Sequence, residues 1–212
     1  MDNFGDAWGW FSTEVHNLAC EKGWWVLRTA DGPSAGTRSF LECMGLVISE
    51  LGEAVEAFRK PSCSKVILGH SHAAEELADI IIRLADLGKY FDLDISASTW
   101  MIERDEIFDV CNAGTDEDNF VCCFDAMMDE GHSSIDAGNP IERLAIVAKH
   151  LGEAITSYVD ELHDADAEEA MAQAVLEICT LASQEGIDLG EAIIAKHAYN
   201  QSRTYRHGPN LY

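Results

Sequence analysis

Positive charge is scarce in this chain. Across 212 residues, 14 Lys and Arg face 38 Asp and Glu, for a formal net charge of -24. Binding to a nucleic-acid polymer requires cations that neutralise phosphates, so non-specific binding of that kind is excluded. Solubility or adaptation to salt accounts for the acidity in general. A small anionic substrate fits only where a metal or a local basic cluster offsets the field. Long apolar runs are missing too, and the opening MDNFGDAWGW has no basic segment. Neither a membrane span nor a signal peptide is expected, and the expected location is cytoplasmic. The seven cysteines are scattered, Cys122 and Cys123 are adjacent, and no CxxC occurs. That pattern reads as incidental thiols in a reduced compartment. A Gly-rich phosphate loop, a Ser-His-Asp set and a GxSxG elbow are all absent. His70-Ser71-His72 could ligate a transition metal, but a lone HxH in a loop is a weak signal and it reads as loop. Convincing strand alternation is lacking as well.

What is present is helical periodicity. Phe40, Met44, Val47, Ile48, Leu51, Val55 and Phe58 repeat at spacings of three and four and mark one buried helix face. Leu77, Ile80, Ile81, Leu84 and Leu87 mark a second helix, with Ser71 as its N-cap. Lys60-Pro61 starts the loop between them. Asn139-Pro140 opens a helix through Ile141, Leu144, Val147, Leu151, Ile155 and Tyr158. Another pattern runs over 168–183. A last helix starts near Asp188 and carries Leu189, Ile193 and Ile194. The expected fold class is all-α, a helical bundle.

The chain also repeats itself. Leu51-Gly52-Glu53-Ala54 recurs as Leu151-Gly152-Glu153-Ala154, an offset of 100 at which Met44 falls on Leu144, Val47 on Val147, Val55 on Ile155 and Phe58 on Tyr158. At an offset of 94, Leu84 falls on Ile178, Leu87 on Leu181 and Asp94 on Asp188. The first helices of the two copies, near 6–22 and 117–131, align weakly. The copies divide near 106–116, where Asn112-Ala113-Gly114-Thr115 reads as a linker, giving units 1–111 and 112–212.

Two carboxylate pairs at helical spacing stand out: Glu50 with Glu53, and Glu76 with Asp79. At about 6 Å and an effective dielectric of about 20, a partly buried pair of like charges costs on the order of 3 kcal/mol. A hard divalent cation removes that cost. Facing each other across a groove, the four acids would form a Mg2+ site of the kind helix bundles build. The alternative is a solvated acidic face, with Arg83 paired to Asp79 one turn on. In the second copy His150, Ala170 and Gln173 replace Glu50, Glu76 and Asp79, and only Glu153 survives. That copy instead carries a polar stripe, Lys196, Asn200 and Arg203, where the first has Ile102, Glu106 and Asp109. One copy holds acids and the other bases, which implies one composite site per chain. The stripe suits phosphate oxygens, although cations also favour helix C-termini for electrostatic reasons. Trp24 and Trp25 follow the first helix and suit either stacking on a base or capping the core. His16 joins them as a candidate wall for a base pocket.

Together, Glu50-Leu51-Gly52-Glu53, then Glu76-Leu77-Ala78-Asp79, then KHAYNQSRTYRHG at 196–208, resemble the MazG-like all-α nucleoside triphosphate pyrophosphohydrolase superfamily, related to dimeric dUTPases and dCTP pyrophosphatases. The segment Glu21-Lys22-Gly23-Trp24-Trp25 is similar to one in phage and bacterial members. The resemblance covers about 8–95 and 186–208. It implies Mg2+-dependent cleavage between the α and β phosphates, with Mn2+ as a substitute, releasing monophosphate and pyrophosphate. Glu50, Glu53, Glu76 and Asp79 would hold metal, and Glu50 or Glu53 would orient the attacking water. Lys196, Asn200 and Arg203 would hold the phosphates. Members carry one unit per chain and self-associate. This chain is therefore expected to be a tandem-duplicated pseudo-dimer of four-helix units, open to pairing again as a homo-dimer.

Overall fold

The computed structural model describes residues 4–29, 32–97, 115–130, 138–160 and 164–205. The elements are α1 (Phe4–Glu21), β1 (Val26–Thr29), β2 (Gly32–Thr37), α2 (Phe40–Arg59), α3 (His72–Phe91), a 3-10 turn (Ile95–Ala97), α4 (Asp116–Glu130), α5 (Pro140–Val159), α6 (Asp164–Glu185) and α7 (Leu189–Ser202). The helical bundle expected from periodicity is thus the fold. One antiparallel ribbon, β1 with β2, is added to it, paired Val26 to Thr37 and Thr29 to Gly32. Its second strand, GPSAGT, has no apolar alternation, which is why the pattern gave no sign of it. The expected linker at 106–116 and the expected unit boundary lie almost wholly outside the described residues.

Local chemistry sets the helix ends. Ser39 accepts from the Glu42 amide while Glu42 accepts from the Ser39 amide, a capping box that starts α2. Ser71 caps α3 as its sequence predicts, Asn139 caps α5 ahead of Pro140, and Asp188 caps α7. α3 stops at Asp92, in the left-handed conformation that Asp tolerates better than most residues (φ 58°). His72 therefore opens α3 instead of lying in the loop.

α3 is the hub. It packs against α1, α2, α6 and α7, and Leu77, Ile80, Ile81, Leu84 and Leu87 are all buried. A helix surrounded on so many sides must bury its polar residues too, and it buries Glu75 and Glu76. Ile48, placed on the buried face of α2 by its spacing, is instead 46% exposed. It lies at the edge of the stripe, and Val47 and Leu51 fill the contact with neighbouring elements. Ile141 and Tyr158 at the two ends of α5 are likewise partly open.

The two halves bury matching positions. α2 buries Cys43, Met44, Val47, Glu50, Leu51 and Ala54, and α5 buries Arg143, Leu144, Val147, His150, Leu151 and Ala154, each displaced by 100. Packing follows the same rule. α1 meets α4, α2 meets α5 and α3 meets α6. The pairs α2–α3, α1–α3 and α3–α7 have the counterparts α5–α6, α4–α6 and 3-10 turn–α6. Phe40 at the start of α2 stacks on Tyr158 at the end of α5, with centroids 3.9 Å apart, so those helices run antiparallel. Among the cysteines, Cys20, Cys43, Cys63 and Cys179 are not disulfide-bonded. Cys122 is disulfide-bonded, contrary to the expectation of reduced cysteines throughout. Scattered spacing carries no information on which thiols the fold brings together. No helix among the described residues is long and apolar enough to cross a membrane.

Candidate metal centre

Packing of α2 against α3 brings Glu50, Glu53 and Glu76 together, with one carboxylate oxygen of each within 4.8 Å of the others. Trans ligands of Mg2+ span about 4.2 Å, so small side-chain rotations close the set on an ion. Glu50 and Glu76 are buried, while Glu53 stands at the exposed rim. Asp79 joins the same charge cluster but is turned to Lys196, whose Nζ lies 2.6 Å from Oδ2. The fourth acid thus faces the C-terminal stripe and not the three-carboxylate group. Arg83 does not pair with Asp79 as its spacing allows. Its Nε donates to Glu50 Oε1 at 2.6 Å across the helix interface.

Lys196 comes from α7, which packs on α3, and its ammonium reaches Asp79 and also Glu75 Oε1 at 2.8 Å. The basic stripe of the second half therefore meets the acids of the first. Asn200 is buried one turn on. Arg203 follows, its Nη1 3.4 Å from Asn200 Oδ1 and its guanidinium over the Tyr199 ring. This end of α7 is tied to α1, because Lys22 donates to the Gln201 carbonyl at 2.7 Å.

Five carboxylates, Glu50, Glu53, Glu75, Glu76 and Asp79, share this region with two permanent cations, Arg83 and Lys196. The imbalance appears in their proton affinities. Burial first, then the charges of Asp79, Glu53, Glu50 and Glu75, push the Glu76 carboxyl up to about 8. Burial pushes Asp79 up to about 6 against the pull of Lys196. Burial works against the charge on Glu75 as well, yet hydrogen bonds from Lys196 and Ser64 prevail and hold it low. Lys196 is pulled down by burial, but Asp79 and Glu75 outweigh this and raise it. The contrast is physical: Glu75 accepts from Ser64 and Lys196, whereas Glu76, only 3% exposed, has among the described residues only the His72 ring beside it.

His16, Trp24 and Trp25 do not reach the acid cluster. His16 Nδ1 lies 2.8 Å from Asp86 Oδ1, and Trp25 Nε1 donates to both Asp86 oxygens at 2.9 and 3.2 Å. Trp25 stacks on Tyr90 at 3.8 Å and is buried, so one ring face is already covered. Trp24 is half-buried against the core. Asp86 lies seven residues beyond Asp79, two turns along the same stripe of α3. Sequence pattern gives no role to Asp86, Glu75 or Lys22, and takes His72 only as part of a lone HxH in a loop. Asp86 was findable because it continues the Asp79 stripe, and His72 and Glu75 because His72 lies three residues before Glu75 and four before Glu76. Lys22 was not, because its partner is 179 residues away.

Among the described residues the second half offers no equivalent acid group. His150 Nδ1 and Lys149 both engage Glu153, Ala170 replaces Glu76, and Gln173 donates to Glu169. Where the first half pairs Arg83 with Glu50, the second buries Arg143 against Glu177 at 2.5 Å.

No protein-family model, curated protein or solved structure matches this chain, so the reading of the site rests on its own residues.

Proposed function

We propose that the chain is a Mg2+-dependent nucleoside triphosphate pyrophosphohydrolase that cleaves between the α and β phosphates. The observation that carries this reading is the convergence of Glu50, Glu53 and Glu76, with Glu76 buried and, among the described residues, within ion-pair range only of the His72 ring. A fold bearing that cost without a ligand has no evident reason to keep it. The donor set, all carboxylate oxygen, suits a hard divalent ion. Bound there, the ion would polarise the α-phosphoryl group, lower the pKa of its water and offset charge on the leaving pyrophosphate. Glu50, Glu53, Glu76 and Asp79 are the proposed ligands, and exposed Glu53 is the residue best sited to orient water. Lys196, Asn200 and Arg203 are the proposed phosphate contacts. His16 and Trp25, which bond Asp86 two turns further along α3, are proposed together with Trp24 as the wall nearest the base.

The finer architecture belongs to the same reading. Two MazG-like units, 1–111 and 112–212, would form a pseudo-dimer within the chain, with the second unit's C-terminal helix completing the first unit's site. Matching buried positions and the self-mapping packing pattern support it. Two observations favour a different reading, a bundle that binds nucleotide or a protein partner without turnover. Arg83 already covers one oxygen of Glu50, and Lys196 occupies Asp79.

Pyrophosphate release from a panel of ribo- and deoxynucleoside triphosphates, with and without Mg2+, separates the two. Metal-dependent release with monophosphate product is expected, abolished in Glu53→Gln and Asp79→Asn. Nucleotide binding without release overturns the enzyme in favour of the binding bundle.

A further inference from the structure

Glu76 belongs to two donor groups at once. Toward α2 it meets Glu50 and Glu53, and toward the start of α3 it meets His72 and Glu75. His72 Nδ1 lies 3.2 Å from Glu76 Oε1 and 3.5 Å from Glu75 Oε2. Two donors sharing an ion at about 2.1 Å stand about 3.0 Å apart in cis-octahedral geometry and about 3.5 Å apart in tetrahedral geometry. Both separations match that range with the side chains as they stand.

The surroundings hold this arrangement. His72 sits three and four residues before Glu75 and Glu76, the spacing that places one side chain above two others. Its backbone is fixed by Ser71 at the N-cap and by its own amide donating to the Ser62 carbonyl at 2.8 Å. Glu75 is aimed by Ser64, which donates to Oε2 at 2.7 Å, and by Lys196 on Oε1. Hydrogen bonds of this kind from outside the donor set orient metal ligands. Glu76 is buried, and His72 is its single polar partner among the described residues. Imidazole nitrogen is a poor donor for Mg2+ and a good one for first-row transition ions.

We propose that His72, Glu75 and Glu76 form a second cation position, selective for a transition ion such as Mn2+ or Zn2+, which shares Glu76 with the all-oxygen position at Glu50 and Glu53. This rests on reading the acids as a metal site. An ordinary His–Glu ion pair at a helix start has the same resting geometry but puts no nitrogen on a metal.

Pulsed EPR of the metal-stripped full chain, titrated with up to two equivalents of Mn2+, separates these. The expected spectrum carries 14N coupling from a directly bound imidazole, lost in His72→Gln and kept in His70→Gln. Mn2+ affinity falls at least about tenfold in His72→Gln, with Mg2+ affinity changed less than about threefold. Mn2+ bound without 14N coupling, or with coupling that survives His72→Gln, overturns the imidazole position and leaves the carboxylate site standing. Absence of any Mn2+ binding overturns both.

Discussion

Glu76→Gln should stabilise the metal-free protein, and by an amount that depends on pH. The Glu76 carboxyl is pushed up to about 8 from its ordinary 4.5, chiefly by burial and then by neighbouring carboxylates. A raised acid pKa means that the folded chain keeps a proton the unfolded chain has released. Below pH 4.5 both states hold the proton and the group has no effect. Between 4.5 and about 8 only the folded state holds it, so stability falls as pH rises, and the loss is complete above the folded value. At about 1.4 kcal/mol per pH unit, going from pH 5 to pH 8 costs about 3–4 kcal/mol. Gln resembles the protonated acid and carries no such dependence. Asp79, raised by burial, adds a loss of the same sign at lower pH, but it is present in both chains. For a chain of this length, about 2–4 °C accompanies each kcal/mol. In EDTA, the Tm advantage of Glu76→Gln should therefore widen by about 10 °C between pH 5 and pH 8. Adding Mg2+ at pH 8 should narrow it by stabilising the native chain alone. Parallel Tm–pH curves for the two proteins would refute the electrostatic account of the cluster.

Lys196→Ala removes the cation held between Glu75 and Asp79. It should lower stability by about 3–5 kcal/mol and raise the KM for triphosphate. Mg2+ binding should be retained or tightened, as calorimetry would show; unchanged kinetics would sink the composite site. Arg143→Met should cost about 3–5 kcal/mol by removing the buried guanidinium from Glu177. The double variant with Glu177→Leu should recover most of that in urea melts, and additive losses would show that the pair is not coupled. Trp25→Phe deletes the donor to Asp86, so the fluorescence change on nucleotide addition should diminish if the base lies against this ring. An unchanged signal would remove Trp25 from the pocket.

Much of the bundle was legible because helix signals are local. The caps at Ser71 and Asn139, the helix start near Asp188 and the apolar stripes of α2 and α3 depend on neighbours within a turn or two, and both caps form. The convergence of Glu50, Glu53 and Glu76 was foreseeable for the same reason, since two amphipathic helices joined by a short loop have few ways to pack. The β1–β2 ribbon was not foreseeable, because the sequence GPSAGT carries no apolar alternation.

Sequence by itself determined the helical class, the offset of 100 between the halves and the identity of the acids. Only the tertiary structure decided their partners. Arg83 crosses to Glu50 instead of staying on its own helix with Asp79. Lys196 arrives from α7, 121 residues from Glu75, and takes Asp79 out of the three-carboxylate group. Glu76 is left buried beside His72. Periodicity records which face of a helix is apolar. It does not record which cation from elsewhere in the chain reaches a buried carboxylate, because that depends on how helices cross.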